Sequence, residues 1–452
     1  MHPTIELLKE KYNNSNDIIT RKINNISYIY LESVSSDDKI SNFLNKGIIN
    51  NIDELYLEIS VYNSNIKIEE SVDKCINYLS SGFTCVFINN SNKYLAVETK
   101  SKLDRGVSES TYEPVLRGPK DSFTENHSIN IGLIRKRIKS NDLWLEDLNI
   151  GKYTNTKISI AYINNKVSKD TINKVLNKIK EIKIDGIIDS GYIKNYLEKD
   201  IHSIFPQILC TERPDLTCIN LLKGKIAIIV ENSPIVLILP VSLNDFFITS
   251  EDYYQNYKNA MISRIIRLSA FIISILTPAV YIALMTYNQE MIPNELFISL
   301  AAGRSQVPFP TFIEILIFIV VFSILREADI RSPSIAGSTM GIVGALALGE
   351  AAVTAGLISP MVIIVIAVTS ISELVFNDID ICNSIRIWRI LFILSTILTG
   401  IMGIVSCLLV FIIKISSIEY LDNPYLSPFS PINNKIKDSI YVEPIYKRDD
   451  FK

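Results

Sequence analysis

A chain of 452 residues, 48% hydrophobic and 21% charged, with a formal net charge of -3 and a pI near 5.8, lacks the basic excess needed to hold nucleic acid. Its six cysteines form no CxxC pair and have no histidine-rich neighbourhood, and Cys210 and Cys218 are spaced too widely for a zinc knuckle, so buried thiols in a reducing compartment are expected. The mean hydropathy of +0.24 averages two unlike halves: Lys-, Asn-, Ile- and Glu-rich to about Arg267, then dominated by Ile, Leu, Val, Ala and Gly from Leu268 to Lys414.

The opening stretch, MHPTIELLKEKYNNSND, has no apolar core behind a basic patch and is not read as a secretory signal, so the leading half is expected in the cytosol. Residues 1–104 read as a first α+β subdomain. It runs ISYIYLE (Ile26 to Glu32), a polar helix start SSDDKISNFL, and SGFTCVFINNSNKYLAVET (Ser81 to Thr99). Residues 157–248 read as a second, related subdomain: ISIAYI (Ile158 to Ile163), KDTINKVLNKIKEI, and KGKIAIIVENSPIVLILP (Lys223 to Pro240). Both close with a glycine, an apolar strand, an Asn-Ser turn and another apolar strand, a hairpin signature; chance similarity is the alternative for so short a match. Ile172, Val175, Leu176, Ile179 and Ile182 recur at helical spacing and predict a helix with one apolar face.

Between them, residues 105–156 read as a helical connector. A helix is predicted to open after Gly118-Pro119, with Asp121 and Glu125 near its positive end, Phe123, Ile131, Ile134 and Ile138 on one face, and Arg135, Lys136, Arg137 and Lys139 at its negative end. It reads either as a connector with a solvated basic end or as a strut between subunits or onto acidic lipid.

Residues 249–414 read as an all-α membrane domain of about five spans, followed by a polar tail, 415–452. Leu268 to Met285 is the clearest span, uncharged, with Pro278 at mid-segment. Arg264 and Arg267 precede it and no Lys or Arg follows closely, which places its leading side in the cytosol. Further apolar stretches are Phe312 to Leu325, Ile335 to Ile358, Met361 to Phe376 and Ile387 to Ile413. Five spans leave the tail outside, whereas its Lys435, Lys437, Lys447 and Arg448 point to the cytosol; a re-entrant or sixth segment at Ile292 to Gly303 restores parity. The sequence Pro308-Phe309-Pro310 reads as a break or a headgroup-level loop that sets the direction of the following helix.

Three carboxylates fall within apolar stretches, and a carboxylate in a membrane faces protein or water rather than lipid. Glu314 reads as a functional group or as an interfacial residue paired with Arg304, Glu373 as functional or as a surface residue near a polar loop, and Glu350 as the one nearest mid-span. The helix around Glu350 carries small-xxx-small pairs (Gly337/Gly341, Ala345/Gly349, Ala352/Gly356), which suit tight packing and equally the lining of a narrow pore. No GxSxG, Walker A or GxGxxG motif sits in a suitable context and the three histidines are scattered, so an enzyme, a metal site or a bound cofactor is not expected.

Several stretches together resemble the A subunit of the spore germinant receptor, the GerA/KA family. They are VLRGPKDSFTENHSINIGLIRKRIK (Val115 to Lys139), FPQILCTERPD (Phe205 to Asp215), GKIAIIVENSPIVLILP (Gly224 to Pro240), GRSQVPFPTFIEIL (Gly303 to Leu316), READIRSP (Arg326 to Pro333), GIVGALALGEAAVTAGLISP (Gly341 to Pro360) and PYLSPFSP (Pro424 to Pro431). The resemblance implies a non-enzymatic, multi-pass protein of the spore inner membrane. It implies two sister subunits as partners, a transporter-like protein that binds nutrient and a lipoprotein. It also implies a homo-oligomeric ring, surrounded by lipid, whose helices make a channel for monovalent cations. On it, Glu350 and Gly344, with Glu314 and Glu373, become the candidate ion pathway. Arg117, Gly118 and Pro119 become an anchor between subunits, and Pro308, Phe309 and Pro310 a rigid corner. The competing readings are a secondary transporter, disfavoured because only one broken element is seen and no second half, and a membrane-anchored signalling scaffold.

Overall fold

The computed structural model describes residues 3–13, 15–23, 26–44, 56, 65–88, 91, 93–101, 113–198, 203–305, 307–331, 349–432 and 438–447. The leading half builds two sheets. The first unit is α1 (Pro3–Lys11), β1 (Ile18–Ile23), β2 (Ile26–Leu31), α2 (Asp37–Leu44), β3 (Ile66–Glu69), α3 (Val72–Ser80), β4 (Phe83–Ile88) and β5 (Tyr94–Glu98). The second is α4 (His127–Arg137), β6 (Leu143–Ile150), β7 (Thr156–Ile163), α5 (Lys169–Lys180), α6 (Ser190–Leu197), β8 (Leu209–Thr211), α7 (Pro214–Leu222), β9 (Ile226–Val230) and β10 (Val236–Leu239). Strand order is β1-β2-β4-β5-β3 in one sheet and β6-β7-β9-β10-β8 in the other, the same path traced twice. Even the central pairing matches, Ile26 opposite Ile88 in one and Ile158 opposite Val230 in the other. Strands β9 and β10 bury both faces, which is why they read as unbroken apolar runs. Ile172, Val175, Leu176, Ile179 and Ile182 all enter the second unit's core, and Ser168 caps their helix by accepting from Thr171 N at 3.1 Å.

Residues 105–156, expected as a connector, instead contribute α4 and β6 to the second unit. Ile131, Leu133 and Ile134 share a core with Ala161, Leu221 and Ile229. The helix starts at His127 rather than after Pro119, because Asn126 accepts from Ile129 N at 3.2 Å and fixes the N-terminus there. Phe123 lies before the helix yet still packs into that core. The expected solvated basic end is also corrected: Arg135, 1% exposed, donates its Nε to Asp17 Oδ2 of the first unit at 2.6 Å. Asp17 also accepts from Ser33 N and Oγ, so this buried pair ties the two units together.

The second half forms a helical bundle: α8 (Tyr257–Thr286), α9 (Asn294–Arg304), α10 (Thr311–Arg331), a helical stretch at 349–354, α11 (Pro360–Glu373), α12 (Ile379–Thr399) and α13 (Ile401–Ser417). By length and composition α8 and α12 are apolar enough to cross a membrane, and α11 and α13 are shorter apolar helices. One expectation changes here and one narrows to its shorter alternative. Ile387 to Ile413 is not one run but two helices that turn at Gly400, whose φ of +64° suits glycine and where a Cβ would lie 2.9 Å from Tyr287. At Ile292 to Gly303 the chain forms α9, whose 11 residues span roughly 16 Å against a hydrocarbon core of about 30 Å.

The end of the bundle that carries the second unit is closed by an aromatic collar. Phe205 stacks on Trp388 at 6.2 Å and meets Tyr425 at 6.1 Å, while Phe247 meets Phe271 at 5.4 Å and Phe376 at 5.9 Å. The tail returns to this same near end, where Tyr420 Oη donates to Leu197 O at 2.8 Å and Leu243 N donates to Tyr425 O at 2.8 Å.

Candidate functional site

Two buried groups of acids and bases lie at opposite ends of the bundle. At the near end Glu373, 3% exposed, closes α11. Its Oε1 accepts from Arg386 Nε at 2.7 Å and from Arg326 Nη1, and its Oε2 accepts from Arg389 Nη2 at 2.7 Å. The expectation of a surface residue is thus corrected: one carboxylate holds together α10, α11 and α12. Arg389 turns a further donor, Nε, to Ser274 O at 2.7 Å.

At the far end Glu314 is fully buried in the first turn of α10. Its Oε2 accepts from the backbone N of Ser359 at 2.9 Å, and Arg304 Nε stands 3.8 Å from Oε1. Glu314 Oε1, Arg304 Nε, Ser359 Oγ and Tyr281 Oη have no hydrogen-bond partner among the described residues, four polar atoms in one small region. Pro308, Phe309 and Pro310 form the corner between α9 and α10; Pro310 O accepts from Ile313 N at 3.0 Å and so starts the helix that carries Glu314. Glu350 behaves differently. It lies in the helical stretch 349–354, its carbonyl accepts from Thr354 Oγ1 at 2.6 Å, and its side chain is exposed. Gly344 lies outside the described residues.

The Arg117-Gly118-Pro119 loop is not in the bundle but against its near end. Arg213 spans the loop, donating from Nη1 to Glu113 O at 3.2 Å and from Nη2 to Pro119 O at 2.7 Å, while its own charge is met by Asp215 at 2.7 Å. Arg117 N donates to Glu251 Oε1 at 3.2 Å, leaving the Arg117 side chain exposed beside Leu116 at 97% exposure. Gly118 has φ +137°, and a Cβ there would lie 2.7 Å from the Tyr254 ring. In the adjoining cleft, burial pushes the Glu113 carboxyl up to about 7 against the lowering effect of Thr211 and Arg213. Asp378, the N-cap of α12, is raised to about 6 by burial, with Lys194 opposing.

A third charged group was not legible in the sequence. Arg264 in α8 donates to Asp252 Oδ2 at 3.0 Å and to Asp438 Oδ1 of the tail at 3.1 Å. Arg267 is bidentate to Asp252, with both contacts 2.8 Å, and Lys223 of the second unit pairs with Asp438 at 2.6 Å. Unit, bundle and tail are thereby joined through two aspartates. The arginines before the first span had been read only as topology signals, and the aspartates gave no signal because their partners are remote in sequence. Ser159 accepts near His127 Nε2 at 2.9 Å and donates to Asp147, but the carboxylate bonds the serine rather than the imidazole, so this buried cluster lacks the relay of a nucleophile triad.

Residues 6–450 match the family model of the Bacillus/Clostridium GerA spore germination protein. The chain is 34% identical over 458 aligned positions to spore germination protein KA of Bacillus subtilis (strain 168), covering 96% of this chain and 83% of that one. It is likewise 34% identical to spore germination protein GerQA of Bacillus cereus, covering 98% and 89%. Among solved structures it is similar to the N-terminal domain of the A subunit of the Bacillus megaterium spore germinant receptor GerK3, with 30% identity, a TM-score of 0.41, and coverage of 52% of this chain and 92% of that one.

Proposed function

Because this chain belongs to the GerA family of spore germination proteins, we propose that it is the A subunit of a spore germinant receptor whose copies assemble in the spore inner membrane around a path for monovalent cations. The observation that carries the reading is the contrast among the three carboxylates of the bundle. Glu314 and Glu373 are buried and meet arginines of their own chain. Glu350 is exposed on an apolar helix. A charged carboxylate does not face hydrocarbon, so in the membrane Glu350 requires water or a neighbouring copy, and a water-filled path between copies supplies both.

The helix directions support several passes. α8 and α12 run away from the near end, and α10, α11 and α13 return to it, because Arg326 meets Glu373 at one end while Glu314 meets Ser359 at the other. The tail ends on the same side as the two α+β units, where Tyr420 meets Leu197 and Asp438 meets Lys223. In this reading the turn at Gly400, rather than α9, restores parity. The basic residues Arg264, Arg267, Arg326, Arg386 and Arg389 all lie toward that end, which the positive-inside rule assigns to the cytosol. In this reading a transporter-like sister subunit binds the nutrient, a lipoprotein completes the receptor, and the exposed Leu116-Arg117 tip is a contact between subunits.

The reading is tested by thiol accessibility. A cysteine at Glu350 in the assembled, reconstituted receptor is expected to react with a small water-soluble thiol reagent, whereas one at Ile412, exposed on α13 and facing lipid in this reading, is not. Equal protection at both positions contradicts a wet path past Glu350.

A further inference from the structure

Between α12, α13 and the loop Ser203 to Phe205 lies a cavity of about 520 Å3, bounded by Ile204, Phe205, Trp388, Leu391, Val410 and Lys414. Its size is that of a ligand pocket, and three features specify what fits. Its walls are mostly apolar, and the adjoining surface of α13 exposes Leu409, Ile412 and Ile413, so an apolar chain reaches it along the helix. The Trp388 ring is fixed by Phe205 at 6.2 Å and Phe411 at 4.9 Å, and its indole N–H, on a residue only 3% exposed, has no acceptor among the described residues. A buried donor left unmet is unfavourable, so an acceptor is wanted there. Lys414 lies in the last turn of α13, one helical end from the soluble unit, and has no acidic partner among the described residues.

We propose that this slot binds one anionic phospholipid, with the acyl chain along α12 and α13, a glycerol-ester carbonyl accepting from Trp388 Nε1, and the phosphate paired with Lys414. Hydrocarbon, carbonyl and phosphate occur in that order in a phospholipid and in that order from bundle interior to near end here. Indole and lysine together match the boundary between acyl chain and headgroup, where each keeps its polar end wet and its body dry. The inference rests on the membrane reading above; the neighbouring occupant that competes with lipid is a helix of another copy.

The full chain is reconstituted into vesicles carrying either brominated phosphatidylglycerol or brominated phosphatidylcholine at equal mole fraction, and tryptophan emission is recorded. Only two tryptophans are present, and Trp144 sits on the soluble sheet, so the quenched component is that of Trp388 and disappears in Trp388→Phe. The expected result is a preference of about fivefold for the anionic lipid, as one lysine at a charged surface supplies, and its loss in Lys414→Gln, an exposed position where folding is unaffected. Equal quenching by both lipids, or a preference that survives Lys414→Gln, overturns the proposal. Absence of quenching by either lipid in protein that floats with the vesicles overturns it in favour of a neighbouring helix. Protein that does not float overturns the membrane reading itself, and flotation is therefore scored separately.

Discussion

Arg389 Nε donates to Ser274 O at 2.7 Å, and Ser274 stands four residues before Pro278 in the same helix, at the carbonyl that a proline nitrogen has no hydrogen to reach. The guanidinium thus replaces a missing backbone hydrogen bond, and its Nη2 simultaneously holds Glu373. The gap that Pro278 leaves in the hydrogen-bond ladder of α8 and the ion cluster at the ends of α10, α11 and α12 are one unit.

Arg389→Met is expected to cost about 3–5 kcal/mol, since it strands both the Ser274 carbonyl and a share of the Glu373 charge. Pro278→Ala restores an N–H for Ser274 O. In the Arg389→Met background it should therefore recover part of the loss, a coupling of about 0.5–3 kcal/mol read from a double-mutant cycle of thermal stability in detergent. Additive effects would show that the two residues are not linked.

Glu373→Gln leaves three guanidiniums around a neutral amide, and a loss of about 3–5 kcal/mol is expected. Glu350→Gln changes an exposed side chain and should shift stability by less than about 0.5 kcal/mol. Comparing the melting temperatures of the two variants separates a carboxylate that holds the bundle from one that serves a path.

The cleft between the second unit and the bundle makes stability depend on pH. Glu113 is raised from 4.5 to about 7, so between these values the folded state keeps a proton that the unfolded chain has released. Its contribution is complete below about 4.5 and is lost as pH rises through about 7. Asp378 acts in the same sense, raised from 3.8 to about 6. Urea titrations from pH 5 to pH 8 should show stability falling, less steeply in Glu113→Gln. An unchanged slope in that variant would remove Glu113 as a cause.

Gly118→Ala forces a side chain into φ +137° and against Tyr254, and a loss of about 1–3 kcal/mol is expected. Tyr254→Ala relieves the clash but not the backbone, so the double variant should recover only part. Full recovery would assign the whole effect to the ring.

Much of the architecture was legible in the residues. The two closing hairpins at Ser81 to Thr99 and Lys223 to Pro240 identify β4-β5 and β9-β10, and their likeness anticipates two sheets with one strand order. What stayed hidden depends on distance along the chain. Arg326 and Glu373 are 47 residues apart, Arg264 and Asp438 are 174 apart, and no local pattern joins them. The α4 helix shows one apolar face in sequence, yet His127, Asn130 and Arg135 are buried as well, because the two units cover it from more than one side. The turn at Gly400 was concealed by apolar residues on both sides; its φ of +64° and the close approach of Tyr287 explain why a glycine stands there. In sequence Glu314 and Glu373 differ from Glu350 only in lying nearer the span ends, and burial against arginines is what sets them apart in the structure.

The most direct measurement is potassium release from spores on adding nutrient, with this chain intact or carrying Glu350→Gln at equal protein level. A path lined by Glu350 predicts that release is blocked or becomes constitutive while the protein stays folded and assembled. Release with normal onset and rate would contradict it and leave the bundle as an anchor for the soluble units.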